Sequence, residues 1–169
     1  LTSLSFESGS ELETIGDWAF FNSGLNSIIV PASVTTIGDY AFYQCSALTS
    51  LSFESGSELV TIGGNAFYDT GLTSIIMPAS LTAIGDRAFS ESSMTYVTLR
   101  CGASPLAIDS NAFSSSLVTS LALPSTATYS GSVSTTTLTC SLVGTDCSSS
   151  LVECNTAGQF CDTTNNVGS

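Results

Sequence analysis

The stretch LTSLSFESGSELETIGDWAFFNSG, Leu1 to Gly24, returns as LTSLSFESGSELVTIGGNAFYDTG, Leu48 to Gly71, identical at 18 of 24 positions. Between and after these copies lie LNSIIVPASVTTIGDYAFYQCSA from Leu25 and LTSIIMPASLTAIGDRAFSESS from Leu72, which match each other and share Ile-Gly and Ala-Phe with the first pair. A weaker fifth copy, MTYVTLRCGASPLAIDSNAFSSSL, runs from Met94, and a sixth opens at Val118 as VTSLALPSTATYSG before the pattern fades. The basic period is therefore about 22–24 residues, with two alternating types and a superperiod of about 47. Self-similarity at this period is the mark of a solenoid, in which no unit buries its own apolar face and stacking builds one continuous core.

Each copy has a physical reading. Leu25-x-x-Ile28-x-Val30 and Leu72-x-x-Ile75-x-Met77 place apolar side chains on one side of a short strand. Pro31, Pro78 and Pro124 stop the strand, because proline cannot donate to a ladder. The alternate copies use Phe6-Glu7-Ser8-Gly9-Ser10 and Phe53-Glu54-Ser55-Gly56-Ser57 instead, a turn one residue longer. Ile15, Ile37, Ile62 and Ile84 each precede a glycine, read as a positive-φ position, with Asp109 in that place in the fifth copy. Asp17, Asp39 and Asp86 precede Ala-Phe pairs and read as caps on a helical turn that points Ala and Phe inward. At about 4.8 Å per strand, six units stack into a parallel sheet about 25–30 Å long.

The recurring pattern L-x-x-I-x-(I/V/M)-P-x-S-(V/L)-T-x-I-G-D-x-A-F, with Cys45 just beyond an Ala-Phe pair, resembles the BspA-type leucine-rich repeat over residues 1–124. The resemblance implies a solenoid on or outside the cell surface, working in adhesion and in protein or glycan binding, without catalysis. The expected fold is an α/β solenoid: a leucine-rich-repeat stack with short parallel strands on one face and short helical turns on the other. A disulfide-bonded C-terminal cap completes it. The expected division is a solenoid of about six repeats over 1–124 and a Ser/Thr- and Cys-rich cap or tail over 125–169.

Composition narrows function. Fourteen acidic residues face two basic ones, both arginine, and there is neither histidine nor lysine. The usual general bases, Schiff-base nucleophiles and imidazole metal ligands are therefore missing. Two arginines cannot neutralise a phosphate backbone or hold an anionic membrane surface, so neither nucleic acid nor such a membrane is an expected partner. No apolar run reaches the roughly 18 residues of a transmembrane helix. There is no phosphate-binding loop and no G-x-S-x-G elbow, so no enzyme, cofactor or metal is expected. With 43% hydrophobic residues, the chain is too apolar to be disordered.

The outward strand positions form a candidate binding face. They are Ser3 and Ser5 in the first copy, Ser27 and Ile29 in the second, and Ser50 and Ser52 in the third. Ser74 and Ile76, Tyr96 and Thr98, and Ser120 and Ala122 continue it. The strip is flat, nearly uncharged and rich in hydroxyls, suited to a glycan or protein surface. It equally reads as an exposed sheet kept soluble by small polar residues. Glu7, Glu11, Glu13, Glu54 and Glu58 cluster in the longer turns, but equivalent carboxylates fall two units apart, about 9–10 Å, and read as solvated turn residues.

Cys45 stands alone in the first hundred residues and reads as a free, buried thiol used as a small hydrophobe. Cys101, Cys140, Cys147, Cys154 and Cys161 are the disulfide candidates of an oxidising, extracellular setting. Five is odd, so one is left unpaired or bonds to another chain. The segment STATYSGSVSTTTLT, Ser125 to Thr139, reads either as a linker bearing O-linked sugars, with Thr135, Thr136 and Thr137 as candidate sites, or as further strands of the stack. The sequence enters at Leu1 already in register with the repeat, with no starting methionine, signal peptide or capping segment, which reads as a processed chain or a fragment. A bare first unit offers an edge for end-to-end self-association, and such head-to-tail contacts leave filaments open-ended. The expected function is a non-enzymatic extracellular structural or adhesive module assembling end to end. The alternative is a monomeric surface adhesin whose strand face binds a protein or glycan.

Overall fold

The computed structural model describes residues 1–7, 9–100, 104–124 and 127–138. Its strands run β1 (Thr14–Ile15), β2 (Ser27–Val30), β3 (Thr36–Ile37), β4 (Ser50–Phe53), β5 (Thr61–Ile62) and β6 (Ser74–Met77). They continue as β7 (Ala83–Ile84), β8 (Tyr96–Leu99), β9 (Ala107–Ile108), β10 (Ser120–Pro124), β11 (Thr128–Tyr129) and β12 (Ser134–Leu138). The two-residue strands form one parallel six-stranded sheet in the order β1-β3-β5-β7-β9-β11. The longer strands pair in parallel two by two, β2 with β4, β6 with β8 and β10 with β12. The alternating segments therefore do not make the single long sheet expected of them. That sheet comes from the Thr-Ile or Ala-Ile pairs, too short to show any periodicity.

Like residues stack on like. Ile28 pairs with Leu51 and Ile75 with Val97, while Ile15, Ile37, Ile62, Ile84 and Ile108 follow one another in the six-stranded sheet. All of these are buried, as are Leu25, Leu48, Leu72 and Met94 at the start of successive copies. Opposite the strands, Phe20, Phe42, Phe67, Phe89 and Phe113 form a column of rings with centroids 5.0–5.6 Å apart. Four of the five are buried, and Phe20 in the first unit is only partly covered.

The Ala-Phe segments are turns, and the expected helical turns are absent among the described residues. An α-helix sends every N–H to the carbonyl four residues back. Here alternate N–H groups leave the segment altogether: Trp18, Phe20 and Asn22 donate to the carbonyls of Asp39, Ala41 and Tyr43 in the next unit, at 3.0, 2.7 and 2.8 Å. The N–H groups between them close local turns, as from Phe21 to Trp18 O and from Ser23 to Phe20 O. Left-handed residues reset the chain twice per turn, at Trp18, Tyr40, Asn65 and Arg87 and again at Asn22, Gln44, Asp69, Glu91 and Ser115.

The glycines after isoleucine are consequently not positive-φ residues. Gly9 and Gly56, in the longer turns, are the described glycines with φ near +77° and +78°. Asp109 does not adopt a positive φ either; its carboxylate instead accepts the N–H of Asn111 at 2.8 Å. Gly38, Gly63 and Gly85 serve close approach between units. A Cβ on Gly38 would lie 2.7 Å from the backbone N of Asp17, and one on Gly85 would lie 2.7 Å from that of Gly64. Asp17 and Asp39 do not cap their own turns: each Oδ1 accepts a backbone N–H of the following unit, from Asp39 at 2.8 Å and from Gly64 at 2.7 Å. Asp86 binds the Asn111 side-chain amide at 2.9 Å.

Beyond Pro124 the stack continues. β11 adds to the six-stranded sheet beside β9, and β12 pairs with β10, so the described part of the Ser/Thr-rich segment is strand. Cys101, Cys140, Cys147, Cys154 and Cys161, and with them the expected disulfide cap, lie outside the described residues.

The close approach makes a sharp contrast testable. Gly38→Ala is expected to cost about 1–3 kcal/mol, because the methyl would meet the Asp17 carboxylate and also backbone atoms of Asp17 and Gly16 at 2.7 and 2.9 Å. Gly16→Ala, with nothing within 4 Å, is expected to be neutral or slightly stabilising. Urea unfolding midpoints of the two variants check this, and equal midpoints would refute the packing role.

Candidate functional site

Strand alternation positions the outward strip. β2 and β6 bury Ile28, Val30, Ile75 and Met77 and expose Ser27, Ile29, Ser74 and Ile76. Ser50 and Ser52 of β4 are exposed beside them, with Ile29 directly opposite Ser52. Ile29 is 59% exposed and Ile76 44%, each flanked by small hydroxyl residues. Ser3 and Ser5 are exposed but precede the first strand. The strip stops at β8, where Thr98 is only 4% exposed and Tyr96 half-buried, so Thr98 does not belong to an exposed face. The side chains of Ser120, Ala122, Thr135, Thr136 and Thr137 lie outside the description.

The remaining polar candidates hold units together. Glu54 Oε2 accepts the N–H of Ala32 at 3.1 Å. Ser33 and Ser80 each donate to two carbonyls of the preceding unit, at 2.7–3.0 Å. Cys45 is fully buried and free, and its Sγ donates to the Phe20 carbonyl at 2.9 Å. In later units Thr70, Ser92 and Ser116 stand at the same position after phenylalanine, each donating to the carbonyl of its own Phe. Among the described residues no cluster of three or more His, Cys, Asp or Glu is placed to hold a metal ion.

A second exposed feature lies on the turn side and escaped the reading of the sequence. Trp18 stacks on Tyr40 with centroids 4.1 Å apart and planes 3° from parallel. Phe21, Tyr43 and Tyr68 form a neighbouring column at 5.8 and 4.8 Å. The columns touch through Trp18–Phe21 and Tyr40–Tyr43, at 5.3 and 5.5 Å. Trp18 is 52% exposed and Phe21 45%. Burial, reinforced by the Glu91, Tyr43 and Asp69 charges and opposed by Arg87, raises the Tyr68 phenol above its ordinary pKa. The signal was present in the repeat itself: the Trp18 position is aromatic in the first two copies and the Phe21 position in the first three, and both are polar in the later ones.

Stacked parallel strands, a buried ring column and outward small residues define a leucine-rich-repeat β-solenoid. The BspA-type leucine-rich repeat region matches in six copies, over residues 1–95 and 48–157, and the chain belongs to this family. It is similar in structure to the pneumococcal vaccine antigen PcpA, with a TM-score of 0.64 and 26% identity over 75% of this chain and 34% of that one. A leucine-rich cell surface protein from Faecalibacterium prausnitzii A2-165 aligns at 26% identity and a TM-score of 0.48, over 72% of this chain and 39% of that one. The chain thus spans little more than a third of the length of these solved structures. A comparison with curated protein sequences gives no match. Among the described residues no helix is long and apolar enough to cross a membrane.

The environment of Cys45 sets its reactivity. Alkylation of the native protein is expected to leave Cys45 unmodified, and Cys45→Ser, which supplies the hydroxyl used in later units, is expected to shift stability by less than about 1 kcal/mol. Peptide mass mapping and urea unfolding check both expectations.

Proposed function

We propose that the chain is a non-enzymatic, surface-displayed repeat module that works by presenting an adhesive face outside the cell. The observation that carries this reading is the strand strip, where two large apolar side chains, Ile29 and Ile76, stand clear of a hydroxyl-rich field. Small polar neighbours let a flat partner approach, and the isoleucines supply apolar area at the centre of contact. Membership of the BspA-type family and likeness to a vaccine antigen support display on the outside of a cell. The acidic balance of the chain directs it towards neutral or basic partners. Beads bearing the protein should adhere to immobilised type I collagen, a neutral-to-basic protein surface, and Ile29→Ser with Ile76→Ser should reduce adhesion severalfold with an unchanged circular dichroism spectrum. Undiminished adhesion would sink the assignment of this face.

End-to-end association is a second reading, favoured by one observation. Strand β1 has a ladder partner on only one side among the described residues, and the Phe20 ring is only partly covered. A preceding repeat of a longer chain or another molecule of the same kind would satisfy this edge equally well. Light scattering of non-reduced material over a concentration series separates the two. Mass growing with concentration supports assembly, and a constant mass of one chain rejects it.

A further inference from the structure

The aromatic columns on the turn side have no structural requirement behind them. The position of Trp18 and Tyr40 is taken by Asn65, Arg87 and Asn111 in later units, and that of Phe21, Tyr43 and Tyr68 by Ser90 and Ser114. The same turn forms around polar residues, so the repeat provides its own control. Backbone conformation sharpens the point. Trp18 and Tyr40 are left-handed, with φ of 60° and 58°, a conformation that bulky side chains disfavour and asparagine tolerates; Asn65 stands there at φ 54° in the third unit. Large rings occupy the costlier option and are left half in water.

The chemistry of the surface selects its ligand. Around the rings stand Asp17, Asp39, Asp69 and Glu91 against the single Arg87 near Tyr68, so anionic ligands are disfavoured. Cations are drawn to ring faces, and stacking takes one face each of Trp18, Tyr40, Phe21 and Tyr68 and both faces of Tyr43, which leaves few faces for them. What points sideways is ring edge, the electropositive rim of the aromatic system, which favours oxygen over cations. On these edges stand the hydroxyls of Tyr40, Tyr43 and Tyr68, and the exposed Asn22 and Gln44 directly follow Phe21 and Tyr43 in the chain. None of these groups has a side-chain hydrogen bond among the described residues. Donors and acceptors thus recur once per unit along the solenoid, a step close to the length of one pyranose in an extended polysaccharide.

We propose that the Trp18–Tyr40 and Phe21–Tyr43–Tyr68 columns form a second binding site, separate from the strand strip, for a neutral glycan chain lying along the solenoid axis. Peripheral hydrogen bonds to tyrosine hydroxyls and side-chain amides recognise the sugar hydroxyls, and C–H···O contacts from the ring edges fill between them. The stacked rings are rigid before the ligand arrives, which reduces the entropy lost on binding.

Trp18 is the only tryptophan of the chain, so its emission reports occupancy directly. The full chain is titrated with cellohexaose, mannohexaose and maltohexaose, and separately with a heparin oligosaccharide and with oligolysine. At least one neutral oligosaccharide is expected to change the emission saturably, with the charged probes silent. Tyr43→Ser with Tyr68→Ser, which installs the residues of the later units and leaves the Trp18–Tyr40 pair intact, should weaken calorimetric affinity at least tenfold. Tyr43→Phe with Tyr68→Phe keeps the packing and should also weaken it, through loss of the hydroxyls. Silence with all three neutral sugars, preference for oligolysine, or undiminished affinity in both double variants overturns the proposal. The Ile29→Ser, Ile76→Ser protein should bind the sugar normally. If it does not, the sugar site belongs to the strand strip and this inference fails alone, whereas lost bead adhesion to collagen with intact sugar binding leaves it standing.

Discussion

The structure depends on backbone hydrogen bonds that join each unit to its neighbours in opposite directions on the two sides of the coil. On the strand side, Gly38, Gly63 and Gly85 donate backwards to Ile15, Ile37 and Ile62, at 2.8–2.9 Å. On the turn side, Trp18, Tyr40 and Asn65 donate forwards to Asp39, Gly64 and Asp86, at 2.8–3.0 Å. The second, third and fourth units are therefore each both donor and acceptor towards both neighbours. Among the described residues, buried backbone groups find partners without any helix, and the strand-side bonds require approach so close that a Cβ does not fit at Gly38, Gly63 and Gly85.

Side chains follow from that spacing. Once units are held one strand-width apart, identical positions must tolerate contact with themselves, which apolar residues and flat rings do and clustered charges do not. The buried phenylalanine column satisfies this along its whole length. Carboxylates survive in a column by accepting N–H groups of the next unit, as Asp17 and Asp39 do, and the series breaks at Gly64. Hydroxyls and one thiol fill the place after phenylalanine because each can bond a carbonyl that the turn leaves available.

Two outer surfaces remain free of these demands. On the strand strip, alternation exposes every second residue, and small hydroxyls surround Ile29 and Ile76. On the turn side, rings accumulate in the first three units and give way to polar residues later. The two surfaces differ in kind: one is a flat field with isolated apolar points, the other a rigid stack edged with hydrogen-bonding groups.

The repeat, its period, the inward set Leu25, Ile28, Val30 and their counterparts, and the outward set Ser27 and Ile29 were legible in the chain itself, because alternation and recurrence register burial directly. The two-residue strands were not legible, since two residues carry no period. The glycines after isoleucine suggest a conformational role in sequence but serve proximity in the fold, and the left-handed backbone falls instead on residues as large as Trp18 and Tyr40, which local preference argues against. Which groups meet across units was decided by tertiary structure alone. Trp18 and Tyr40, or Asp39 and the N–H of Gly64, are neighbours only after the coil closes at its exact register, and no local property of either residue contains that distance.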